Sequence, residues 1–178
     1  MDIVGCSVFR TELEHVLGDS VAVEWLPSRL DVVPGELDKA LSQALAGTQK
    51  PACLYGSCSP DMDAILAEHG GRRLPVRNCV EAFLSPEERA AFGDHAFIIT
   101  ASLLRDWRAI YMESLGWDEI DGRINFGMYE VIVLLDFGLV PIDDIDVLEF
   151  FDFTQTPIDI VPASLERFEA LVRGLLEG

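Results

Sequence analysis

A chain of 178 residues, 49% hydrophobic and 25% charged, is long enough to bury a core and reads as a soluble, globular, single domain over 1–178. Its formal net charge of −18 argues against a nucleic-acid partner, whose phosphates are met by Lys and Arg, and against an anionic membrane surface. No apolar run approaches the roughly 20 residues that span a bilayer, and no basic stretch with a long apolar segment opens the chain, so a cytoplasmic location is expected. There, four cysteines serve as ligands or reactive thiols more readily than as structural disulfides.

Residues 2–5 read as a first strand. Phe9, Leu13, Val16 and Leu17 then share one helical face over 7–17, and Gly18 stops the helix. Residues 21–26 form a second strand closed by Pro27, and a loop with Pro34-Gly35 follows. Leu37, Leu41, Ala44 and Leu45 mark the next helix, ended by Gly47. Residues 51–55 are a third strand. Ser59 is the expected N-cap of a helix with Pro60 first, broken at Gly70-Gly71. A short fourth strand, 74–76, leads to a helical turn from Cys79 to Phe83. Ser85-Pro86-Glu87-Glu88 has the pattern of a capping box. Residues 96–100 are a fifth strand and 103–115 a helix with Trp107 and Tyr111. Gly116 to Gly127 reads as a loop or helix extension. The continuous apolar run within 129–137 marks a strand covered on both faces. A short helix at 146–153, a strand at 158–161 and a helix at 164–176, with Leu165, Phe168, Val172 and Leu175 on one stripe, complete the chain. This alternation implies a three-layer Rossmann-like α/β fold, with a mostly parallel sheet between helices on both faces.

Three cysteines recur at one kind of position. Cys6, Cys58 and Cys79 each follow an apolar strand and precede a helix. Open α/β sheets bind ligands at the carboxyl ends of their strands. With strands one, three and four adjacent, the three thiols converge at one mouth. Soft thiolates select zinc, copper(I) or iron–sulfur centres. A closed zinc site takes four protein ligands, and His15, His69 and His95 all lie away from strand exits. Three thiolates suit a four-iron cluster with one open iron, or a metal that binds substrate directly. The competing reading is structural, because cysteine is also a small buried hydrophobe. Cys53, inside the third strand, is expected in the core. Thiols at helix starts are also expected to have lowered pKa values, which makes Cys58 a candidate nucleophile.

Arg77 and Asn78 flank Cys79 and are candidates for binding a cofactor or an anionic group. Asp31, beyond the second strand, is a candidate for the same rim. Asp136-Phe137-Gly138 is no kinase signature, since no glycine-rich loop, strand lysine or His-Arg-Asp accompanies it. Asp118 to Gly122 lacks the alternating ligands of a calcium loop. No phosphate-binding glycine motif follows the first strand.

Several segments occur together in a recognisable order. They are Cys6 before a helix with Glu12-Leu13, then Tyr55-Gly56-Ser57-Cys58, then Cys79 preceded by Pro75 and Arg77. Leu103-Leu104-Arg105-Asp106-Trp107 follows a threonine-ended strand, and Asp136-Phe137-Gly138 ends a late one. Over most of the chain this resembles the prokaryotic family called domain of unknown function 1638. Members often lie near genes for corrinoid-dependent methyltransferases, so the resemblance implies anaerobic one-carbon or metal-cofactor metabolism. Relatives tend to carry a histidine near Leu30-Asp31 and an aspartate where this chain has Asn78, and they often continue beyond Leu176. If that histidine is a ligand in relatives, Asp31 replaces it here or the site is three-coordinate.

The expected function is a cytoplasmic metalloprotein holding an iron–sulfur cluster, a 4Fe-4S cluster among the options, or zinc, through Cys6, Cys58 and Cys79. Its work would be redox chemistry or corrinoid and one-carbon cofactor handling. The alternative is a non-enzymatic accessory protein that docks on a corrinoid protein or methyltransferase. The residues leave open whether the protein is an enzyme.

Overall fold

A computed structural model describes residues 2–18 and 21–177. The α/β class and the parallel pairing expected from the sequence hold, and the alternation of strands and helices is Rossmann-like. The strands are shared between two all-parallel sheets in two compact units, one of residues 1–85 with 165–178 and one of 86–164.

The first unit contains β1 (Ile3–Cys6), α1 (Arg10–Leu17), β2 (Glu24–Leu26), α2 (Glu36–Ala44), β3 (Ala52–Leu54), α3 (Met62–Glu68), β4 (Arg72–Arg73) and α4 (Cys79–Phe83). Its strands lie in the order β2-β1-β3-β4. β1 and β3 are buried along their whole length, as strands between helical layers should be. Single 3-10 turns, Ser7–Phe9 and Ser28–Val32, follow β1 and β2.

Two local expectations shift. β4 pairs through Arg72 and Arg73 rather than 74–76. Pro75 has no N–H to give a ladder, so the pairing ends before it. Ser59 does not cap α3. Its hydroxyl donates to Asp38 Oδ1 on α2, and Asp61 occupies the N-cap position.

The second unit contains α5 (Pro86–Ala91), β5 (Ala96–Thr100), α6 (Ala101–Trp107), α7 (Glu119–Phe126), β6 (Val131–Asp136), α8 (Asp144–Thr154) and β7 (Ile158–Pro162), with sheet order β5-β6-β7. Its core gathers Ile99, Leu104, Trp107, Phe126, Ile132, Leu134, Phe150 and Phe153. The helix expected over 103–115 begins at Ala101 and widens into a π-helix, Arg108–Ser114. The undecided stretch after Gly116 contains α7. Asp118 Oδ1 accepts the N–H groups of Ile120 (2.8 Å) and Asp121 (3.0 Å), and Asp121 Oδ2 accepts that of Asp118 (3.1 Å). Asp118 and Asp121 thus form a reciprocal capping box rather than part of a calcium loop.

The chain then returns to the first unit as α9 (Glu166–Glu177), which buries Phe168, Val172 and Leu175 of the expected stripe, while Leu165 precedes the helix and is half-buried. Phe168 closes an aromatic trio there, with ring centroids 5.3 Å from Phe9 and 5.0 Å from Phe83, themselves 5.6 Å apart. Arg167 Nε donates to the Glu81 carbonyl of α4 at 2.9 Å. No helix among the described residues is long and apolar enough to cross a membrane. The trio yields the first prediction. Phe168→Ala should cost about 3–5 kcal/mol of unfolding free energy, read from urea melts. A loss no larger than that of an exposed substitution would show that α9 does not clasp this unit.

Candidate functional site

Parallel pairing fixes where the thiols go. β3 stands between β1 and β4, with Val4 opposite Cys53 and Cys53 opposite Arg73, so the three strands end at one edge. Cys6 is the last residue of β1, Cys58 lies in the loop after β3, and Cys79 opens α4 beyond β4. Three contacts pull the exit loops together. Ser28 N–H, beyond β2, donates to Ser7 Oγ at 2.9 Å. Ser57 N–H donates to the Val76 carbonyl at 3.1 Å. At Gly56, an added Cβ would sit 2.8 Å from the Arg77 carbonyl and 2.9 Å from Asn78 N, so only glycine lets the Cys58 loop lie this close to the approach to Cys79.

The result is a cluster. The Cys6 thiol lies within electrostatic reach of Cys79, Asp31 and Cys58, and Cys79 within reach of Cys58 and Asp31. All four cysteines are free thiols, with Cys6 and Cys53 buried and Cys58 and Cys79 half-buried. Cys53 is a core residue as expected, yet its thiol also feels Cys58.

Burial dominates the electrostatics. Desolvation, with a smaller push from Asp31, raises Cys58 from 9.0 to about 11. Desolvation first, and Cys58 next, raise Cys79 and Cys53 to about 12. Cys6 rises further, again by desolvation, although the Val8 N–H opposes it. The lowered pKa expected at helix starts is therefore not realised. The backbone N–H groups that face the sulfurs favour thiolate, but losing water matters more. Asp31 is an exposed residue whose carboxyl is nonetheless raised by desolvation, as at a crowded rim.

Arg77 is exposed at the same mouth. Its Nε donates to Glu81 Oε1 at 2.6 Å and its backbone N–H to Glu81 Oε2 at 2.8 Å. Asn78 caps α4, its Oδ1 accepting the Glu81 N–H at 3.1 Å. These bonds fix the helix start on which Cys79 sits.

Two residues at the site were missed by sequence reasoning. Arg73 pairs with Asp63 in fork geometry, at 2.6 and 3.1 Å, and donates to the carbonyls of Leu74 (2.9 Å) and Val76 (3.1 Å). Its charge lowers Cys58 and Cys53 slightly. An arginine between Gly70-Gly71 and an apolar Leu74-Pro75 was the available signal. Tyr55 is buried, its hydroxyl has no hydrogen-bond partner among the described residues, and it lies within reach of Cys6, Cys53, Cys58 and Asp31. A buried orphan hydroxyl costs about 1–3 kcal/mol.

As a donor set, three soft thiols beside a carboxylate and an orphan phenol fit a thiophilic metal. Among the described residues, however, no three His, Cys, Asp or Glu groups stand at ligating geometry. Neutral thiols have nothing to draw them into contact. Loading would have to deprotonate them and close the loops.

Protonated thiols also set a pH dependence. With folded values above the unfolded one, their contribution to stability is fully present below 9.0 and is lost as pH climbs through about 11 and 12. Metal-free protein should therefore lose unfolding free energy between pH 9 and 12. The C6S/C58S/C79S variant should lose less, by urea melts across that range. Equal losses would remove the buried thiols as the cause.

A family model described as "Protein of unknown function (DUF1638)" matches residues 25–172. Cys58, Cys79 and Asp31 lie inside that span and Cys6 before it. No curated protein and no solved structure gives a significant match.

Proposed function

The chain belongs to the DUF1638 family, whose description carries no activity, and we propose from its own residues that it is a cytoplasmic metalloprotein. It would bind an iron–sulfur cluster or zinc through Cys6, Cys58 and Cys79. The observation that carries this reading is the mutual electrostatic reach of the three thiols and Asp31 at the carboxyl edge of one parallel sheet. Thiolates hold such centres, and three of them leave one coordination position for substrate or for Asp31. The bound group would supply electron transfer or Lewis-acid chemistry. The protein's part is to bury the sulfurs, exclude bulk water and hold the carboxylate beside them. Redox work, or cofactor handling for a corrinoid and one-carbon system, follows from that chemistry and from the family resemblance.

Anaerobic purification with iron, sulfide and zinc analysis and a visible spectrum tests the proposal. Metal should co-purify or be taken up on reconstitution, and C6S/C58S/C79S should abolish it. Asp31→Asn should weaken retention if the carboxylate is a fourth ligand. A colourless protein that takes up neither iron nor zinc overturns the reading.

A second reading, an accessory protein docking on a corrinoid protein or methyltransferase, is favoured by the surface of the second unit. Ile120 and Ile124 on α7, Met128 just beyond it, and Ile145 and Leu148 on α8 are largely exposed. Their i, i+4 and i, i+3 spacing makes stripes rather than scattered residues. On this reading the triple cysteine variant binds a purified corrinoid protein like wild type, and I124E/L148E loses binding, as read by calorimetry. Loss of binding in the cysteine variant, or none in I124E/L148E, would count against it.

A further inference from the structure

The eleven residues of α8 are apolar around the whole circumference of the helix, with Ile145, Val147, Leu148, Phe150, Phe151 and Phe153. A helix of that kind belongs between two covering layers. Here one side alone is covered. Phe150 and Phe153 enter the core of the second unit, while Ile145, Leu148 and Phe151 are 63%, 62% and 37% exposed. Their i, i+3, i+6 spacing sets all three within one arc of about 120°.

The charges on that side narrow what covers it. Asp144 and Asp152 fall within the same arc and are exposed, and neither has an ion pair among the described residues. α8 contains no Lys or Arg. Its other two acids, Asp146 and Glu149, pair with Arg108. Residues 86–164 hold sixteen Asp and Glu, four Arg and no Lys. Each of those arginines is committed: Arg89 to the carbonyls of Gly93 and Ala96, Arg105 to Ser102, Arg108 to α8 and Arg123 to Glu119. The unit has no spare cation for the outer face of α8.

A second copy of the chain fits this face poorly. A two-fold contact would set Asp144 and Asp152 of one copy against the same carboxylates of the other, and like charges across an interface cost affinity. A neutral apolar partner would bury both carboxylates unpaired. Lys or Arg beside an apolar stripe meets both demands.

We propose that the outer face of α8 docks an amphipathic helix of a partner protein whose apolar stripe is edged with Lys or Arg. This rests on the docking reading, whose partner chemistry it names, and is independent of the metal reading. Eleven residues rise about 16 Å, so the contact spans about three turns of the partner helix. Ile145, Leu148 and Phe151 supply the affinity, and the two carboxylates select the partner's charge and register.

A fluorescein-labelled helical peptide of leucine and lysine, four turns long, is titrated into the full chain and followed by anisotropy. Wild type should bind it, and should bind the counterpart with glutamate for lysine about tenfold or more weakly. I145S/L148S should bind the lysine peptide about tenfold or more weakly. D144N/D152N should lose about fivefold at low salt, with a flatter salt dependence. E14Q/E68Q removes the same charge from exposed positions of the first unit and should leave binding unchanged. No binding by wild type, equal binding of the two peptides, or equal losses in D144N/D152N and E14Q/E68Q overturns the proposal. So does a wild-type dimer, by sedimentation, that I145S/L148S makes monomeric, since a second copy then covers the face. If a variant does not fold by urea melt, amide exchange of wild type decides. Residues 144–154 should exchange more slowly with the lysine peptide bound, and unchanged exchange there refutes the contact. A corrinoid protein that binds while the lysine peptide does not removes this assignment and leaves the docking reading standing.

Discussion

Shared strand polarity is the constraint on which the site depends. Because β1, β3 and β4 are adjacent and parallel, residues separated by more than seventy positions in sequence reach a single edge. Reversing any one strand would carry its thiol to the opposite edge of the sheet. Polarity alone brings the loops only to the same rim. The close contact comes from backbone detail: the Ser57 bond to Val76, the missing side chain at Gly56, and the Ser28 bond to Ser7. Each substitutes a short polar or steric interaction for what would otherwise be solvent between neighbouring loops.

Within that cluster two effects oppose one another, and burial wins. Backbone N–H groups at the starts of the Ser7 turn and α4 favour thiolate at Cys6 and Cys79, yet both thiols end above their ordinary values. Without a counter-charge the cluster is a set of quiet, protonated thiols, poor as nucleophiles. On the proposed metal reading, a soft cation would supply the counter-charge that these thiols lack.

Much of this was legible in the sequence. Unbroken apolar strands and helical stripes gave the α/β class, and the Phe168, Val172 and Leu175 stripe of α9 is buried as its spacing requires. The recurrence of cysteine after strands located the cluster, and Asp31 joined it. What was not legible depends on three-dimensional neighbours. The two sheets are one example, since strand periodicity carries no information on which strands pair. Arg73 is another: its role comes from Asp63 on α3 and from carbonyls it reaches across its own loop. Tyr55 was read only as the end of the third strand, because nothing in the letters says that a buried hydroxyl lacks a partner. Arg77 and Asn78 lie beside Cys79, where their bonds to Glu81 brace the start of α4.

The route of the chain has a consequence for biosynthesis. The segment that completes the first unit, α9, is translated only after all of residues 86–164. Until then Phe9 and Phe83 lack their third ring, and Glu81 lacks the Arg167 clasp that steadies the helix bearing Cys79. On the ribosome, the thiol mouth therefore waits for a helix made last among its supports. A nascent chain stalled before Arg167 would therefore present Cys6, Cys58 and Cys79 on a unit that lacks its last helix.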